Sequence, residues 1–434
     1  MEQVKAWIDR ISREDLVLFA FWFLIPGLFF SPALASISLI TGILFAVFDY
    51  RRPFYNLDLI IQLRKRSGQF YMLWFLIVFM LVLLGGFTAE DSGYWLTRVR
   101  IKLPFLGIPI AMVGLKPFTE KQINRFLGFL ITPLIITSIW ATWVYYSDTQ
   151  AVIYDIGQGH SFPVPFSHIR FSLLIALTFI GSIWSLSTSF SLRYWIAAGG
   201  VLLFAFLHLL AVRSGLVCAY AGIALYSFLY FYKKRQWAII LSMGLAGILI
   251  PAISITTIPT LNRKISYMRW DWQQLREGTI TEGSDATRWY SILVGIEIFK
   301  EHPLMGVGSG SLKAEVERKY QEMYPEIKRV KMPHNQFVSI LAANGLLGLI
   351  LFLLALLMPI IVGQRYRIPI TIAWYAALLL SFMVENTLET AAGVGIFILF
   401  TSMGLCTNFY DLTRKYPALK WRSSAVQNPQ STSS

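Results

Sequence analysis

The sequence predicts an all-α, polytopic membrane protein. Of its 434 residues, 56% are hydrophobic and only 14% are charged, whereas about a quarter of the residues of a soluble protein are charged. Apolar runs long enough to cross a bilayer as helices recur along the whole chain. The net charge of +14 fits basic loops that contact anionic lipid. It does not indicate nucleic-acid binding, because the sequence has no soluble basic domain.

About twelve apolar segments are predicted to be transmembrane helices, and the fourth is short and interrupted by proline. They lie near 14–30, 33–49, 70–87, 103–117, 125–147, 168–187, 194–212, 215–232, 237–258, 335–362, 368–386 and 391–410. The chain therefore divides into helices one to nine (1–258), a helical loop (259–334), helices ten to twelve (335–410) and a polar tail (411–434). Within the loop, segments 285–303 and 310–324 have amphipathic helical patterns, and Asp285 and Thr287 are in capping positions for the first.

Short basic loops predict the orientation of the chain. With twelve spans both termini lie on one side, and that side also receives the clusters that include Arg51, Arg52, Arg365 and Arg367. Loops rich in Arg and Lys stay in the cytoplasm, so both termini are expected there. Loops 88–102, 148–167 and 259–334 then lie on the outer side.

Basic residues gather at this predicted outer face: Arg98, Arg100, Lys102, Arg170, Arg213 and Arg288. Arg213 is the only Lys or Arg between Arg193 and Lys233, in a turn between two long apolar runs. A cation at such a place needs a partner, and the guanidinium fork fits a phosphate or a carboxylate. We therefore expect an anion or an acidic partner at Arg213, whereas Arg98 is equally well explained by snorkelling to lipid phosphates.

The stretch "KMPHNQFVSILAANGLLGLILFL" (331–353) places a histidine and an asparagine where a membrane helix begins. Asn335 can cap that helix. The positive potential at the helix N-terminus favours neutral imidazole, so His334 could accept a proton from a hydroxyl or orient it. A purely interfacial capping histidine is the alternative. Glu385 and Glu389 in "VENTLET" could orient His334 or pair with an arginine, or they could form a solvated turn.

Neither a metal nor a cofactor is predicted. Cys218 and Cys406 lie in separate apolar runs, and no cluster of His, Cys and carboxylates has the spacing of metal ligands. Any phosphate chemistry would therefore depend on Arg and Lys for neutralisation of charge. The segment "HPLMGVGSGS" (302–311) follows no strand, so it is interpreted as a structural turn and not as a nucleotide site.

Three motifs together resemble the bacterial O-antigen ligase/polymerase superfamily: "RSG" (213–215), "RWYSILVGIEIFKEHPLMGVGSGSL" (288–312) and "PHNQFVSILAANGLLGLILFL" (333–353). The size of the chain and its moderate outer loop are most similar to an O-antigen ligase. The resemblance implies a multi-pass enzyme of the bacterial inner membrane. Such an enzyme moves a glycan, with inversion and without metal, from undecaprenyl pyrophosphate to a sugar hydroxyl of lipid A–core at the periplasmic face. It also implies that His334 is the essential histidine and that Arg213 and Arg288 are essential arginines. Arg170, Arg100 and Lys102 are further basic candidates, and Asn335 and Glu389 are candidate orienting groups.

Three alternatives stay open. An O-antigen polymerase and a protein O-oligosaccharyltransferase share the donor chemistry and differ in the acceptor. A twelve-span transporter belongs to a different class, and it is disfavoured because the charges gather at one rim and the two halves of the chain do not repeat.

Overall fold

The computed structural model describes residues 12–48, 57–65, 68–164, 167–280 and 282–407. These residues form helices joined by short connections, and they contain no β-sheet, only an isolated bridge between Phe118 and Thr407. The predicted all-α class is confirmed. The tail 411–434 lies outside the described residues, as do the basic positions Lys5, Arg10, Arg51, Arg52, Arg66, Arg414 and Lys415.

Each of the twelve predicted apolar segments contains a helix. In chain order the helices are α1 (Arg13–Phe30), α2 (Pro32–Val47), α3 (Leu57–Lys65), α4 (Leu76–Leu84, preceded by the 3₁₀ helix Phe70–Phe75), α5 (Ser92–Lys102), α6 (Pro104–Val113), α7 (Glu120–Ser147), α8 (Thr149–Gly157) and α9 (His168–Ser185). They continue with α10 (Arg193–Leu210), α11 (Arg213–Lys233), α12 (Trp237–Thr257), α13 (Pro259–Arg276), α14 (Ser284–Glu301), α15 (Leu312–Met323), α16 (Gln336–Val362), α17 (Pro369–Val384) and α18 (Ala391–Leu405).

Six helices of the described chain are long and apolar enough to cross a membrane: α7, α9, α10, α11, α12 and α16. A seventh span is added if Leu59–Lys65 and Phe70–Leu84, which meet at a bend of 82°, are counted as one. Helices α17 and α18 are apolar but shorter, and α6 has only ten residues. The chain is thus a multi-pass membrane protein, and the count of twelve spans stays a prediction.

Helix α9 lies at the centre of the bundle and packs against α10, α11 and α17. Large side chains fill the interior around it, and Trp374, Phe382, Phe397 and Phe400 are almost completely buried. Helix α12 lies at the periphery, because it packs mainly on α11 and α13. The centre of the bundle is therefore close-packed.

The loops predicted to lie on one side do meet at one end of the bundle. Loop 148–167 meets α13, where Lys264 Nζ donates to the His160 carbonyl at 3.1 Å. Segment 88–102 meets the connection between α17 and α18, where Arg98 donates to the Glu389 carbonyl at 2.9 Å. The predicted loop 259–334 consists of α13, α14 and α15, and it covers this end as a helical cap.

The cap has a small core of its own, and the N-terminal part of α16 completes it. This core consists of Ala286, Tyr290, Val294, Ile298, Leu312, Val316, Tyr320, Ile327, Ala342 and Ala343. The predicted helices at 285–303 and 310–324 are present as α14 and α15, whereas α13 was not predicted. The cap of α14 also differs from the prediction, because the Asp271 carboxylate accepts from the backbone N–H groups of Asp285 (2.7 Å) and Ala286 (3.2 Å).

Helix α16 is broken at Gly345, and the turn at 302–311 supplies hydrogen-bond partners for the backbone groups at the break. Gly345 has φ 63° and ψ −164°, a region that is essentially restricted to glycine. The N–H groups of Val307 and Gly308 donate to the carbonyls of Ala342 and Ala343, and the Leu346 N–H donates to the Pro303 carbonyl. Groups that the break leaves without a helical partner are thus paired inside the protein, as a membrane environment requires. The glycine-rich segment is a structural turn, as the sequence predicted.

We expect Gly345→Ala to destabilise the protein. A Cβ at this position would lie 2.3 Å from the Leu304 carbonyl carbon, and the backbone strain alone is worth about 1–3 kcal/mol. The measurement is the apparent melting temperature of the purified protein in detergent. Gly247→Ala in α12 is the matched control, because a Cβ there meets nothing within 4 Å. The control should equal or slightly exceed wild type. Equal melting temperatures for both variants would contradict a strained break.

Candidate active site

A cavity of about 640 Å³ opens between the helical cap and the end of the bundle. Residues of α9, α11, α13, α14 and α17 form its walls. Four residues singled out in the sequence line it, although they are far apart along the chain: Arg213, Arg288, His334 and Glu385. The structure does not place Arg100, Lys102, Arg170, Asn335 or Glu389 among the residues that line this cavity.

His334 lies in the cavity wall at the start of α16. Asn335 caps this helix, as predicted, because its Oδ1 accepts from the N–H groups of Phe337 and Val338. The His334 backbone N–H donates to Ser291 Oγ at 3.1 Å, and Ser291 Oγ donates to the Arg288 carbonyl at 2.7 Å. The backbone of His334 is therefore fixed directly to α14, the helix that carries Arg288.

Glu385 connects the basic groups of the site. Its carboxylate lies 2.9 Å from Arg288 Nη2, 3.6 Å from Arg170 Nη1 and 3.3 Å from His334 Nδ1. Burial would raise the pKa of Glu385, but the hydrogen bond from His334 and the charges of Arg288 and Arg170 lower it to about 2. Because Glu385 is ionised at neutral pH, Nδ1 of His334 donates the proton. In neutral imidazole Nε2 is then the acceptor.

The turn between α10 and α11 presents Arg213. Ala211 has a left-handed backbone (φ 54°), and Arg213 is the first residue of α11. A cation at a helix N-terminus is unfavourable, and Asp285 compensates by accepting a hydrogen bond from Arg213 Nη2. Gly215 allows the close approach of α11 to α9, because a Cβ there would lie 2.4 Å from Ser172 Cβ. The predicted acidic partner of Arg213 is thus present.

Arg213 and Arg288 remain open to the cavity in spite of these ion pairs. Their side chains are 32% and 29% exposed, whereas the Glu385 side chain is 5% exposed. A guanidinium has five N–H donors. Arg213 uses one of them on Asp285, and Arg288 uses one on Glu385. Both side chains therefore retain donors for a further anion.

Two lysines that the sequence analysis missed also line the cavity. Burial, together with the charges of Arg213 and Arg288, lowers the pKa of Lys264 to about 8. Burial and the charge of Arg288 also lower the pKa of Lys331, whose Nζ donates to Thr287 Oγ1 at 2.9 Å. Lys264 was missed because α13 was not predicted, and no pattern in the sequence indicated that this lysine lies near the site. The cavity wall thus has four cations against the two carboxylates of Asp285 and Glu385.

Glu389 and Lys102 lie in a separate cluster, in which Glu389 also pairs with Arg98 Nη1 at 3.5 Å, one of the roles that the sequence left open for it. Lys102 is buried, and its Nζ contacts the Leu388 carbonyl and lies 2.9 Å from Glu389 Oε1. Gln336 Nε2 also donates to Glu389 Oε1 at 2.9 Å. All these groups are occupied within the protein, so Lys102 neutralises Glu389 here. The carboxylate that contacts His334 is Glu385.

Arg170 and Arg100 also lie outside the cavity wall. Arg170 is buried and pairs with Glu385 and with Thr390 Oγ1 (3.3 Å). It therefore acts on the cavity through Glu385. Arg100 is exposed on the last turn of α5.

One wall of the cavity is apolar and reaches the exposed surface of the helix bundle. It includes Val217 on α11 and Met383 and Val384 on α17, all of which are exposed. These residues lie beside Arg213 and Arg288, at the end of the close-packed helices. The cavity thus combines a charged, partly open interior with a lateral apolar wall. This combination suits a molecule that has an anionic head and a lipid tail.

One group in the described chain has a geometry that a metal ion could use. Glu301, His302 and Glu315 offer ligand atoms within 4.8 Å of one another, outside the residues that line the cavity. Arg318 and Lys319 already form ion pairs with its carboxylates. An ion-paired surface cluster accounts for this arrangement.

Comparison with known families agrees with the motifs. Residues 198–353 match the family model described as O-antigen ligase. The matched segment contains α11, the whole cap and the start of α16, and therefore Arg213, Lys264, Arg288 and His334. A comparison with curated protein sequences found no match. Residues 198–353 of this chain are therefore similar to the O-antigen ligase family, and they support its place in the O-antigen ligase/polymerase superfamily.

Proposed function

We propose that this chain is a glycosyltransferase that transfers a glycan from undecaprenyl pyrophosphate to a sugar hydroxyl of lipid A–core. The proposal places twelve spans in the bacterial inner membrane, with both termini in the cytoplasm and the segment 259–334 in the periplasm. The observation that carries it is the cavity in which a His–Glu pair faces two partly open arginines beside an apolar wall. The close-packed bundle below the cavity favours an enzyme over a transporter.

In this proposal the pyrophosphate of the donor binds to Arg213 and Arg288, with Lys264 and Lys331 close by. The acceptor oxygen attacks the anomeric carbon, and the bond from that carbon to the pyrophosphate oxygen breaks. Undecaprenyl pyrophosphate leaves with the electron pair, and the configuration is inverted. Preorganised cations stabilise the negative charge that develops on the leaving group, so no metal ion takes part in the step.

His334 would accept the proton of the acceptor hydroxyl at Nε2, because the ionised Glu385 holds the other ring nitrogen as a donor. A positioned histidine base contributes about 10²–10⁴-fold to a rate. The lateral apolar wall would hold the first part of the undecaprenyl chain, and the acceptor would enter from the cap side. A polymerase would use the same donor machinery, with a glycan chain as the acceptor.

The test is transfer by purified protein in lipid vesicles that contain the lipid-linked glycan and lipid A–core, with a metal chelator present. We expect a product that joins glycan to lipid A–core, and we expect His334→Ala to lower kcat by at least about 10²-fold. His302→Ala is the matched control, since this exposed histidine lies in the same cap, outside the cavity wall. Its kcat should stay within about twofold of wild type, as expected for an exposed position.

The outcomes of this assay separate the alternatives. Growth of the glycan on its own lipid carrier would show a polymerase. Absence of any transfer with either acceptor would overturn both assignments. Full activity of a folded His334→Ala variant would contradict the role of His334.

The depressed pKa of Lys264 predicts the alkaline limb of the pH profile. Lys264 is charged below pH 8 and loses its charge as the pH rises through about 8. We therefore expect kcat/KM for the donor to fall by about tenfold above that pH, the size of one lost charge-assisted hydrogen bond. Lys264→Arg should remove this limb, because arginine stays charged. Lys300→Arg, an exposed substitution on α14, should keep the profile of wild type. An unchanged alkaline limb in Lys264→Arg would exclude this lysine as its cause.

A further inference from the structure

Two tryptophans line the cavity, and nothing in the proposed chemistry uses them. Trp272 on α13 and Trp289 on α14 have ring centroids 6.1 Å apart, and their ring planes are inclined by 56°. Their side chains are 41% and 43% exposed. Two large aromatic rings thus form an open, V-shaped surface inside the cavity.

A membrane-interface role does not account for this pair. Tryptophan is enriched where a protein meets the lipid headgroups, and Trp270 fits that role because it is 48% exposed and lies outside the cavity wall. Trp272 is two residues further along the same helix, which turns it by about 200° to the other side of α13. Trp272 and Trp289 therefore share the cavity with Arg213 and Arg288, where a ligand can reach them.

A hydrogen-bond acceptor without a partner lies in the same wall. Asp285 Oδ1 is occupied by Arg213, but within the described chain Asp285 Oδ2 is buried and has no hydrogen-bond partner. A buried carboxylate oxygen without a donor is costly. A ligand hydroxyl that donates to Oδ2 would remove that cost.

We propose that Trp272 and Trp289 form a sugar-stacking subsite, on which a pyranose ring of a glycan substrate packs while one of its hydroxyls donates to Asp285. A pyranose ring has C–H bonds on its faces, and these carry partial positive charge. The face of an indole ring is negative, so the two surfaces attract each other as well as exclude water. Stacking requires a sugar face without an axial hydroxyl, so this subsite would select sugars by the configuration of their ring carbons.

The inference rests on the proposed function, because it takes the substrates to be glycans. The stacked ring can belong to the donor, next to the pyrophosphate, or to the acceptor. Both have the same chemistry, and the experiment distinguishes them. Full-length protein in lipid nanodiscs is titrated with undecaprenyl pyrophosphate and with the same lipid carrying a single N-acetylhexosamine. The KM for lipid A–core is measured in the transfer assay.

For a donor sugar, we expect Trp272→Ala and Trp289→Ala to weaken binding of the sugar-bearing lipid by about three- to tenfold, the usual value of an aromatic contact. Binding of the bare lipid pyrophosphate should not change. Trp272→Phe should recover part of the loss. For an acceptor sugar, both lipid affinities stay as in wild type, and the KM for lipid A–core rises by a similar factor. Trp270→Ala is the matched control and should behave as wild type in every titration.

Two results would overturn the proposal. The first is that Trp272→Ala does not differ from Trp270→Ala in any of these constants. The second is that Trp272→Ala weakens binding of the bare and the sugar-bearing lipid equally, as a displaced α13 would. Failure of the proposed function is seen separately, because the two lipid titrations need no turnover. If wild type prefers the sugar-bearing lipid and the variants lose that preference, the subsite holds even when no transfer to lipid A–core occurs.

Discussion

The site depends on one buried carboxylate. Glu385 lies in the connection between α17 and α18, and its partners come from three other places: Arg170 on α9, Arg288 on α14 and His334 at the start of α16. Two guanidinium groups at this depth would be strongly destabilising without a counter-charge. The same carboxylate fixes which nitrogen of His334 carries the proton. Removing Glu385 would therefore disturb contacts of three helices and the hydrogen bond that selects the His334 tautomer.

The ion pairs explain how arginines can be held ready for an anion. Arg213 and Arg288 both contact Asp285 Oδ1, and their mutual repulsion is reduced by the shared carboxylate. Each guanidinium keeps a fixed orientation with donors left over, so the phosphate of the proposed substrate would meet groups that need no reorganisation. The two lysines keep the wall positive overall. Burial lowers the pKa of Lys264, and the charges of Arg213 and Arg288 lower it further.

The sequence predicted the parts of this arrangement that have local signals. Long apolar runs predicted the helices, Asn335 predicted the cap of α16, and the isolated position of Arg213 between two such runs predicted its acidic partner. Arg288 was singled out at the start of a loop helix and by the family resemblance. The sequence did not predict contacts that depend on packing between segments distant along the chain. Lys102 precedes an apolar run as a lipid-facing cation would, but the fold brings Leu388 and Glu389 to its Nζ. Likewise, α13 was not predicted, so Asp271, Lys264 and Trp272 were not recognised as parts of the site.

The broken helix shows why two separate sequence motifs belong together. The first ten residues of α16, from Gln336 to the break at Gly345, are held by the cap at both ends. At the start, Ser291 binds the His334 backbone, and at the break, residues 303–308 supply the missing hydrogen bonds. Both contacts come from α14 or from the turn that follows it, and α14 also carries Arg288. The segment from 288 to 312 and the segment from 333 to 353 are therefore one mechanical unit. That unit fixes the distance between His334 and Arg288. A transfer between two lipid-linked substrates would need this distance to stay constant.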